Sequence, residues 1–232
     1  MSESWMIDEL DWAGPEHLDT AFVAGYDQKQ GRPDPSSDVE VLAAQGLSST
    51  STVIDLGAGT GTFALAAARR FGHVTAVDVS PAMLNVGRSR AHEAGLINVE
   101  FVRAGFISYE HAGALVDGVY SRNALHHLPD FWKGLALDRI ARIIRPGGVL
   151  RLHDLIYDFQ PPEADKVIDR WLTGAGDDPT RGYTREDFER HIRSEFSTFR
   201  WLLEPMLANT GFRIVTADFI GSVYGAYTCI KR

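Results

Sequence analysis

From Thr52 onward, short apolar runs rich in β-branched residues alternate with longer stretches of helical spacing, and Gly or Pro separates them. This alternation is typical of a parallel sheet whose strands are joined by helices. It predicts five strands, at 52–56, 73–78, 98–103, 118–121 and 149–153. It predicts helices between them at 63–71, 81–94 and 130–144, because apolar residues recur there every three to four positions. Arg145-Pro146-Gly147-Gly148 is interpreted as the turn before the fifth strand.

The pattern changes after Asp154. Residues 157–203 contain helical patterns without a convincing strand, including a helix at 185–193 that Thr184 precedes as an N-cap. A further helix is expected to be kinked or restarted at Pro205. Two strands, 212–219 and 222–230, are close enough to form an antiparallel hairpin.

The first 50 residues lack a strand pattern and suggest helices at 15–24 and 37–46. The sequence therefore predicts one α/β domain over 1–232, with a mostly parallel sheet and helices on both faces. Residues 1–50 form a helical N-terminal cover in this interpretation, and residues 157–203 form a helical lid inserted after strand five.

The loop after the first strand carries three alternating glycines, Gly57, Gly59 and Gly61. Such a loop turns tightly and lets a ligand approach the main chain without meeting a Cβ atom. The dinucleotide fingerprint requires its third glycine at position 62, which is Thr62 here. Asp78 ends the second strand 21 residues after Gly57, where a carboxylate can accept hydrogen bonds from two ribose hydroxyls. The pattern indicates ribose binding and gives no support for pyrophosphate binding.

Four motifs in this order resemble the class I S-adenosylmethionine-dependent methyltransferases of the small-molecule type. They are the loop from Asp55 to Gly61, the acid Asp78, Asn123-Ala124-Leu125-His126-His127-Leu128-Pro129-Asp130, and Arg145-Pro146-Gly147-Gly148. The resemblance extends from about Tyr26 to the C-terminus. It implies a seven-stranded sheet whose last strand is antiparallel, S-adenosyl-L-methionine as the methyl donor and S-adenosyl-L-homocysteine as the product.

The resemblance also implies roles for residues along the strand ends. Gly57, Gly59 and Gly61 would pass under the methionine part and the ribose, and Asp55 would position the loop or the ammonium group. Asp78 would hold the ribose diol.

At the adenine, Val79 and Met83 would flank the ring. Family members commonly carry an acid after the third strand that meets the adenine amino group, and this chain has Ala104-Gly105-Phe106 instead. A backbone contact from Gly105 and packing by Phe106 are therefore expected. Asn123 would face the methionine end, and Tyr26 would close over the cofactor.

The candidate catalytic residues are His126, His153 and Asp154. An imidazole that titrates near neutral pH can act as a general base, and His153 and Asp154 end strand five at the ligand-binding edge of the sheet. Burial or capping is an equally simple explanation for the adjacent pair His126 and His127. No further Cys or His lies at metal-ligand spacing, so no metal site is expected.

Composition narrows the class of methyl acceptor. The 232 residues include 31 acidic and 23 basic side chains, which give a formal charge of −8, and one cysteine. The charge disfavours nucleic acid and anionic membranes as partners, and no apolar run reaches the roughly 18 to 20 residues of a membrane span. The first ten residues lack the basic and apolar composition of a signal peptide, so a cytoplasmic location is expected.

Motifs of the subclasses that methylate nucleic acids are missing, because Asn123 is followed by Ala124 rather than by Pro-Pro-Tyr. A small-molecule acceptor is therefore expected, and the protein is expected to be a monomer or a homodimer. Aromatic residues of the 157–203 insertion would form either an acceptor pocket or the insertion's own core. A non-catalytic S-adenosylmethionine-binding regulator and an NAD(P)-dependent oxidoreductase remain alternatives.

Overall fold

The computed structural model describes residues 4–31, 34–179 and 182–232. Seven strands of this part of the chain lie side by side in one sheet, in the order β3-β2-β1-β4-β5-β8-β7, and the two-residue β6 pairs with β5. β8 is antiparallel to both of its neighbours, and the other pairs are parallel. The strands are β1 (Thr52–Leu56), β2 (His73–Asp78), β3 (Val99–Arg103), β4 (Val116–Arg122), β5 (Ile144–Tyr157), β6 (Thr198–Phe199), β7 (Phe212–Ile220) and β8 (Tyr224–Lys231). The mixed α/β sheet with a closing antiparallel strand is confirmed.

Helices cover both faces of the sheet. The eight α-helices of the described chain are α1 (Thr20–Lys29), α2 (Ser36–Ala44), α3 (Thr62–Ala68), α4 (Pro81–Glu93), α5 (Asp130–Ile143), α6 (Ala164–Thr173), α7 (Arg185–Ser194) and α8 (Arg200–Asn209). Apolar residues of α5 and α8 form one core with the sheet. Residues of α2 and α3 form a second core against its other face. This sandwich fixes the sheet and leaves the carboxyl ends of the strands free to build a site.

The N-terminal cover differs in detail from the expected helix at 15–24. A 3-10 helix, Pro15–Leu18, precedes α1, which begins at Thr20. Asp19 separates the two because its backbone is extended and its carboxylate accepts a hydrogen bond of 2.8 Å from the amide of Phe22. An N-cap of this kind starts a new helix rather than continuing the old one. The predicted cover also includes 1–3 and 32–33, and the predicted lid includes 180–181, which lie outside the described residues.

The fifth strand is longer than expected. β5 runs from Ile144 to Tyr157, so the predicted turn at 145–148 lies inside it. The pairing with β4 shifts register between Val116 and Gly118, and Gly147 has a φ angle of 78°. The Pro-Gly-Gly sequence therefore produces an irregularity within the strand and not a break in it.

The end of the predicted lid also differs from expectation. α8 continues through Pro205, and this proline is exposed. A proline on the outer side of a helix removes one backbone hydrogen bond, and here it does not end the helix. Because α8 packs mainly against β7, it belongs to the helical layer on the sheet, and the part of the insertion over the strand ends stops before it.

Candidate functional site

The glycine loop after β1 has the conformation that its sequence requires. Gly57, Gly59 and Gly61 have φ angles of 74°, 54° and 80°, in the region that side-chain-bearing residues rarely adopt. A Cβ atom on Gly57 would collide with that of Ala124, so the loop after β1 touches the loop after β4. A Cβ on Gly61 would lie 3.5 Å from the backbone of Gly87, which places Gly61 against α4.

Asp78 lies at the centre of the strand edge, at the end of β2. One of its carboxylate oxygens accepts a hydrogen bond from the amide of Gly59 and the other accepts one from the amide of Ser80, both at 2.8 Å. Burial raises the pKa of this carboxyl, and the two amide contacts oppose the rise. Since a carboxylate accepts about four hydrogen bonds, Asp78 retains capacity for two hydroxyl donors.

Asp55 is the clearest sign that the described residues do not complete the site by themselves. Its side chain is 2% exposed, and its Oδ2 atom has no hydrogen-bond partner in the described chain. Burial and the nearby Asp78 carboxylate raise its pKa well above the usual value for aspartate. A buried carboxylate oxygen without a donor is costly, so this position fits a ligand that brings a cation or an N–H group.

A cleft of about 650 Å³ runs along the ends of β3, β2, β1 and β4. The predicted cofactor residues that line it are Tyr26, Gly57, Gly59, Asp78, Val79, Met83, Gly105, Phe106 and Asn123. Asp55 lines an adjoining cavity together with Tyr26, Gly57, Gly59 and Asn123. The structure therefore brings the predicted residues together, except Gly61, which lines neither space.

α1 lies over the glycine loop. A ring carbon of Tyr26 would be 3.7 Å from a Cβ on Gly59, and Asp27 accepts a hydrogen bond of 2.6 Å from the hydroxyl of Thr60. Arg90 of α4 pairs with the other carboxylate oxygen of Asp27 at 2.5 Å. The helix is thus held against both the loop and α4, with Tyr26 facing the cleft.

The sequence pattern did not identify the N-terminal wall of the cleft. Glu9, Trp12 and His17 line it, although they belong to a segment that was predicted only as a cover. The ring of His17 makes edge contacts with Tyr26 and His127, at centroid distances of 5.7 and 5.5 Å. No periodicity or motif marks these residues, because they reach the site through tertiary packing alone.

A second cavity of about 990 Å³ adjoins the cleft. His17, Tyr26, Asn123 and His127 line both spaces. Asn123 has a φ angle of 48°, and its amide donates a hydrogen bond of 2.9 Å to the carbonyl of His153. This strained turn presents the Asn123 side chain where the two spaces meet.

A buried network of histidines and carboxylates borders the second cavity. Nδ1 of His126 lies 2.5 Å from Asp154, and its Nε2 lies 2.9 Å from Glu195. Glu195 also contacts Nδ1 of His191 at 2.6 Å. Burial alone would lower the pKa of His126, but the carboxylates of Asp154 and Glu195 outweigh it and raise the pKa to about 9. His126 is therefore an imidazolium at neutral pH, and both of its N–H groups are engaged by carboxylates.

His127 has the opposite electrostatic character. Burial and the positive charge of His126, whose ring centroid is 4.4 Å away, lower the pKa of His127 to about 3. Its imidazole is neutral at physiological pH and borders both cavities. Of the adjacent pair, His127 is thus the one that can accept a hydrogen bond from a bound molecule.

The donor atoms of His126, His127 and Glu195 lie within 4.8 Å of one another, which is close enough for a metal ion. His126 and Glu195 already contact each other directly, however, and Asp154 occupies the other nitrogen of His126. An ion at this place would have to break the pair, so the arrangement fits a chain of ion pairs better than a set of metal ligands.

His153 lies apart from this network. Its Nε2 is 2.7 Å from Asp38 of α2, and Asp38 also binds Arg151 at 2.9 Å and the hydroxyl of Tyr120 at 3.0 Å. His153 and Asp154 are adjacent in β5, and side chains at adjacent strand positions point to opposite faces of the sheet. Asp154 therefore reaches His126, whereas the structure places His153 outside the two cavities, in a structural cluster.

The predicted lid contributes α7 to the wall of the second cavity. Tyr183, Phe188 and His191 line it, and α7 is held to α1 by the ion pair between Lys29 and Asp187 at 3.1 Å. Phe159 instead belongs to a small separate cluster, with Trp171 and Phe199 packed against it. The insertion aromatics therefore divide between the wall of the second cavity and a small core of the insertion.

Comparison with known proteins shows which family this chain resembles. Residues 53–148 match the family model of a methyltransferase domain. The chain is 31% identical over 168 residues to the O-methyltransferase resE of Aspergillus sclerotiorum, across 64% of this chain and 60% of that protein. It is 34% identical over 124 residues to the ubiquinone/menaquinone biosynthesis C-methyltransferase UbiE of Brucella anthropi, across 52% and 46%. The chain thus spans about half the length of these curated relatives.

The fold has a solved counterpart over almost its whole length. Magnesium protoporphyrin IX methyltransferase (ChlM) from Synechocystis, crystallised with bound SAM, superposes with a TM-score of 0.67 at 15% identity, covering 99% of this chain and 100% of that one. Residues 53–148 are similar to a methyltransferase domain, and the chain has the fold of the class I S-adenosylmethionine-dependent methyltransferases. The resemblance derived from the glycine loop and Asp78 is confirmed at this level.

Proposed function

We propose that this protein transfers a methyl group from S-adenosylmethionine to a small-molecule acceptor held in the second cavity. The observation that carries the proposal is a pair of carboxylates at the ends of neighbouring strands. Asp78 is placed to bind ribose hydroxyls, and a buried carboxylate oxygen of Asp55 has no hydrogen-bond partner among the described residues. The methyltransferase-domain match over 53–148 supports the same ligand.

The residues present fit this cofactor from one end to the other. Asp55 and the cavity that it lines would receive the methionine ammonium group, and Gly57 and Gly59 would pass beneath the ligand. Asp78 would accept the ribose hydroxyls. The purine would then extend toward β3, because β2 and β3 follow β1 in the sheet order.

When bound, the cofactor would supply an electrophilic methyl group on a sulfonium: an acceptor atom would bond to the methyl carbon in line as the bond from that carbon to sulfur breaks, and S-adenosylhomocysteine would leave as the neutral thioether. The protein's contribution is then to align the acceptor and exclude water, since positioning supplies much of the rate in such a displacement. Tyr26, Asn123 and His127 line both spaces, so the acceptor would meet the methyl group among them.

His127 is the residue proposed to contact the acceptor. Its neutral imidazole can accept a hydrogen bond from a hydroxyl and orient the oxygen toward the methyl group. His126 and Asp154 are proposed to act through it, because burial and then the positive charge of His126 keep His127 neutral. In this proposal they are positioning residues, and His153 has a structural role.

The acceptor class follows from the second cavity. Phe22, Tyr183 and Phe188 give it aromatic surfaces, and Lys29 and Arg122 line it together with the carboxylates of Asp187 and Glu195. A planar, partly polar molecule with a hydroxyl or carboxyl group suits this lining. The chain's net charge of −8 supports a small acceptor over nucleic acid.

Location and assembly are further proposals. None of the helices that the structure describes is both long enough and apolar enough to cross a membrane. Together with the single cysteine, which is buried, this supports a cytoplasmic protein. A monomer or a homodimer is proposed for its assembly.

Two alternatives remain distinguishable. An NAD(P)-dependent oxidoreductase is disfavoured by Thr62 in place of the third glycine and by the methyltransferase-domain match. A non-catalytic S-adenosylmethionine-binding regulator would share the cleft but would not transfer the methyl group.

Methyl transfer is tested with isotope-labelled S-adenosylmethionine and a panel of phenols, hydroxyquinones and aromatic acids. We expect label in at least one product, and we expect Asp78→Ala to slow its formation when S-adenosylmethionine is below saturation. Tight cofactor binding with no transfer of label, either to the panel or to compounds in cell-extract fractions, would favour a non-catalytic regulator. Stabilisation by NAD(P) alone would contradict the proposal.

A further inference from the structure

Glu9 is a buried carboxylate at the end of the cleft beside β3. It is 7% exposed and lines the cleft together with Gly105 and Phe106. The amide of Ile107 donates to its Oε1 atom at 3.0 Å. The amide and the hydroxyl of Ser108 donate to its Oε2 atom, at 2.8 and 2.7 Å. These contacts fix the carboxylate rigidly against the turn that follows β3.

The contacts leave one acceptor position free. A carboxylate has about four lone-pair sites, two on each oxygen. Ser108 uses both sites of Oε2, and Ile107 uses one site of Oε1. The remaining site of Oε1 lies on a residue that lines the cleft. A hydrogen bond from a ligand N–H to a carboxylate is stronger than a hydrogen bond between two neutral groups.

Gly105 and Glu9 fit each other sterically. A Cβ atom placed on Gly105 would lie 2.5 Å from Oε2 of Glu9, so Glu9 occupies the space that a side chain at position 105 would fill. The φ angle of Gly105 lies outside the positive region, and its backbone therefore permits a side chain. The absence of a side chain at this position is explained by the presence of the Glu9 carboxylate.

We infer that Glu9 accepts a hydrogen bond from the exocyclic amino group of the bound adenine and thereby makes the cleft selective for adenosine ligands. This inference rests on the proposed function, which places the purine at the β3 end of the cleft. The N-terminal segment is then part of the nucleoside site as well as a cover, because Glu9, which lies outside residues 53–148, contacts the base.

The test compares two ligands by calorimetry. S-adenosyl-L-homocysteine carries the amino group, and S-inosyl-L-homocysteine carries a carbonyl oxygen at the same position, which would face the carboxylate as a second acceptor. We expect the wild-type protein to prefer the adenosyl ligand by about tenfold or more, as sites built for a ligand N–H do. Glu9→Ala should remove most of this preference, and Asp11→Ala, which removes an exposed carboxylate from the same 3-10 helix, should retain it.

A double variant separates base recognition from loop stability. In Glu9→Ala with Gly105→Asp, the new carboxylate enters the space that Glu9 vacated, and the preference for the adenosyl ligand should return. Gly105→Asp alone should weaken both ligands because its side chain collides with Glu9. A Glu9→Ala protein that loses affinity for both ligands equally, with their ratio unchanged, would overturn the inference. If the wild-type protein binds neither ligand, the proposed function fails instead.

Discussion

Two carboxylates on neighbouring strands, Asp55 and Asp78, have different relations to their surroundings. Asp78 is anchored by two backbone amides, whereas Oδ2 of Asp55 has no partner among the described residues. Anchoring makes Asp78 a rigid acceptor, and the missing donor makes Asp55 dependent on a ligand. Substitution of either residue should therefore lower the affinity for the ligand, although neither residue lines the second cavity.

For Asp78, we expect replacement by Ala to weaken S-adenosylhomocysteine binding by about 1 to 3 kcal/mol, or about 5- to 150-fold, because charged hydrogen bonds are lost. Isothermal titration calorimetry measures the change. Asp117→Ala is the matched control, since Asp117 also accepts a hydrogen bond from a backbone amide, that of Thr52. Asp117 lies near the start of β4, away from the strand ends that build the site. Equal affinities for the wild type and Asp78→Ala would exclude the ribose role.

Adjacent histidines should give opposite pH dependences of stability. The folded-state pKa of His126 is raised to about 9 from an ordinary 6.5, so its contribution is fully present below pH 6.5 and is lost as pH rises to 9. His126→Gln should flatten this loss, which amounts to up to about 3.5 kcal/mol at about 1.4 kcal/mol per pKa unit. Urea unfolding at several pH values measures it.

The pKa of His127 is lowered to about 3, so below pH 6.5 the unfolded chain binds a proton there that the folded chain does not. His127→Gln should therefore reduce the loss of stability on acidification from pH 6.5 to about 4, and it should leave the alkaline limb unchanged. The His126→Gln and His127→Gln variants serve as controls for each other. The same pH profile in both variants would contradict the assignment of charge to His126.

Helix α7 closes the second cavity through its contact with α1. Lys29, which is 18% exposed, pairs with Asp187 at 3.1 Å, and its ammonium group lies 5.1 Å from the centroid of the Tyr183 ring. Arg190 pairs with the same carboxylate from an exposed position, with a side chain 52% exposed. A partly buried pair between elements should stabilise the closed arrangement more than an exposed pair within one helix.

We expect Lys29→Met to increase amide hydrogen exchange in 185–194 by several-fold, which corresponds to about 1 kcal/mol of local stability. Arg190→Met should leave this exchange near the wild-type rate. Mass spectrometry of peptides from α7 provides the measurement. Identical exchange in the two variants would mean that the contact with α1 does not hold the helix.

Elements with a strong local signal were predictable from the sequence. β1 and β2 have the bounds that the pattern predicted, and Ser80 caps α4 as expected. The split between the 3-10 helix and α1 was missed because the cap, Asp19, stands within an otherwise continuous helical pattern. The continuation of α8 through Pro205 depends on which side of the helix faces solvent, and that is a tertiary property.

The site divides in the same way. The glycine loop, Asp55 and Asp78 are encoded within one βαβ unit. Spacing marked the loop and Asp78 as candidates, and the resemblance to the methyltransferases added Asp55. Glu9 and His17 belong to the N-terminal segment and Glu195 follows α7, so they reach the cavities only through folding. His126 and His127 were recognised as candidates, but only the positions of Asp154 and Glu195 determine which ring is charged.

At the scale of the whole molecule, the two cavities and the elements around them make folding and ligand binding one linked equilibrium. The cleft is assembled from the N-terminal wall, α1 and four strand ends, so a ligand that fills it contacts segments that are far apart in sequence. Any ligand that binds the folded state alone raises the free energy of unfolding by an amount set by its concentration and affinity.

We expect S-adenosylhomocysteine at about 100 times its dissociation constant to add about 2.7 kcal/mol to the stability, which corresponds to a rise in Tm of about 5 to 10 °C for a chain of this size. NAD(P) at the same concentration should leave Tm unchanged, because Thr62 replaces the glycine that the dinucleotide loop requires. Differential scanning fluorimetry measures both shifts, with Asp78→Ala as the variant in which the first shift should shrink. A rise with NAD(P) and none with S-adenosylhomocysteine would assign the cleft to a dinucleotide despite the methyltransferase fold.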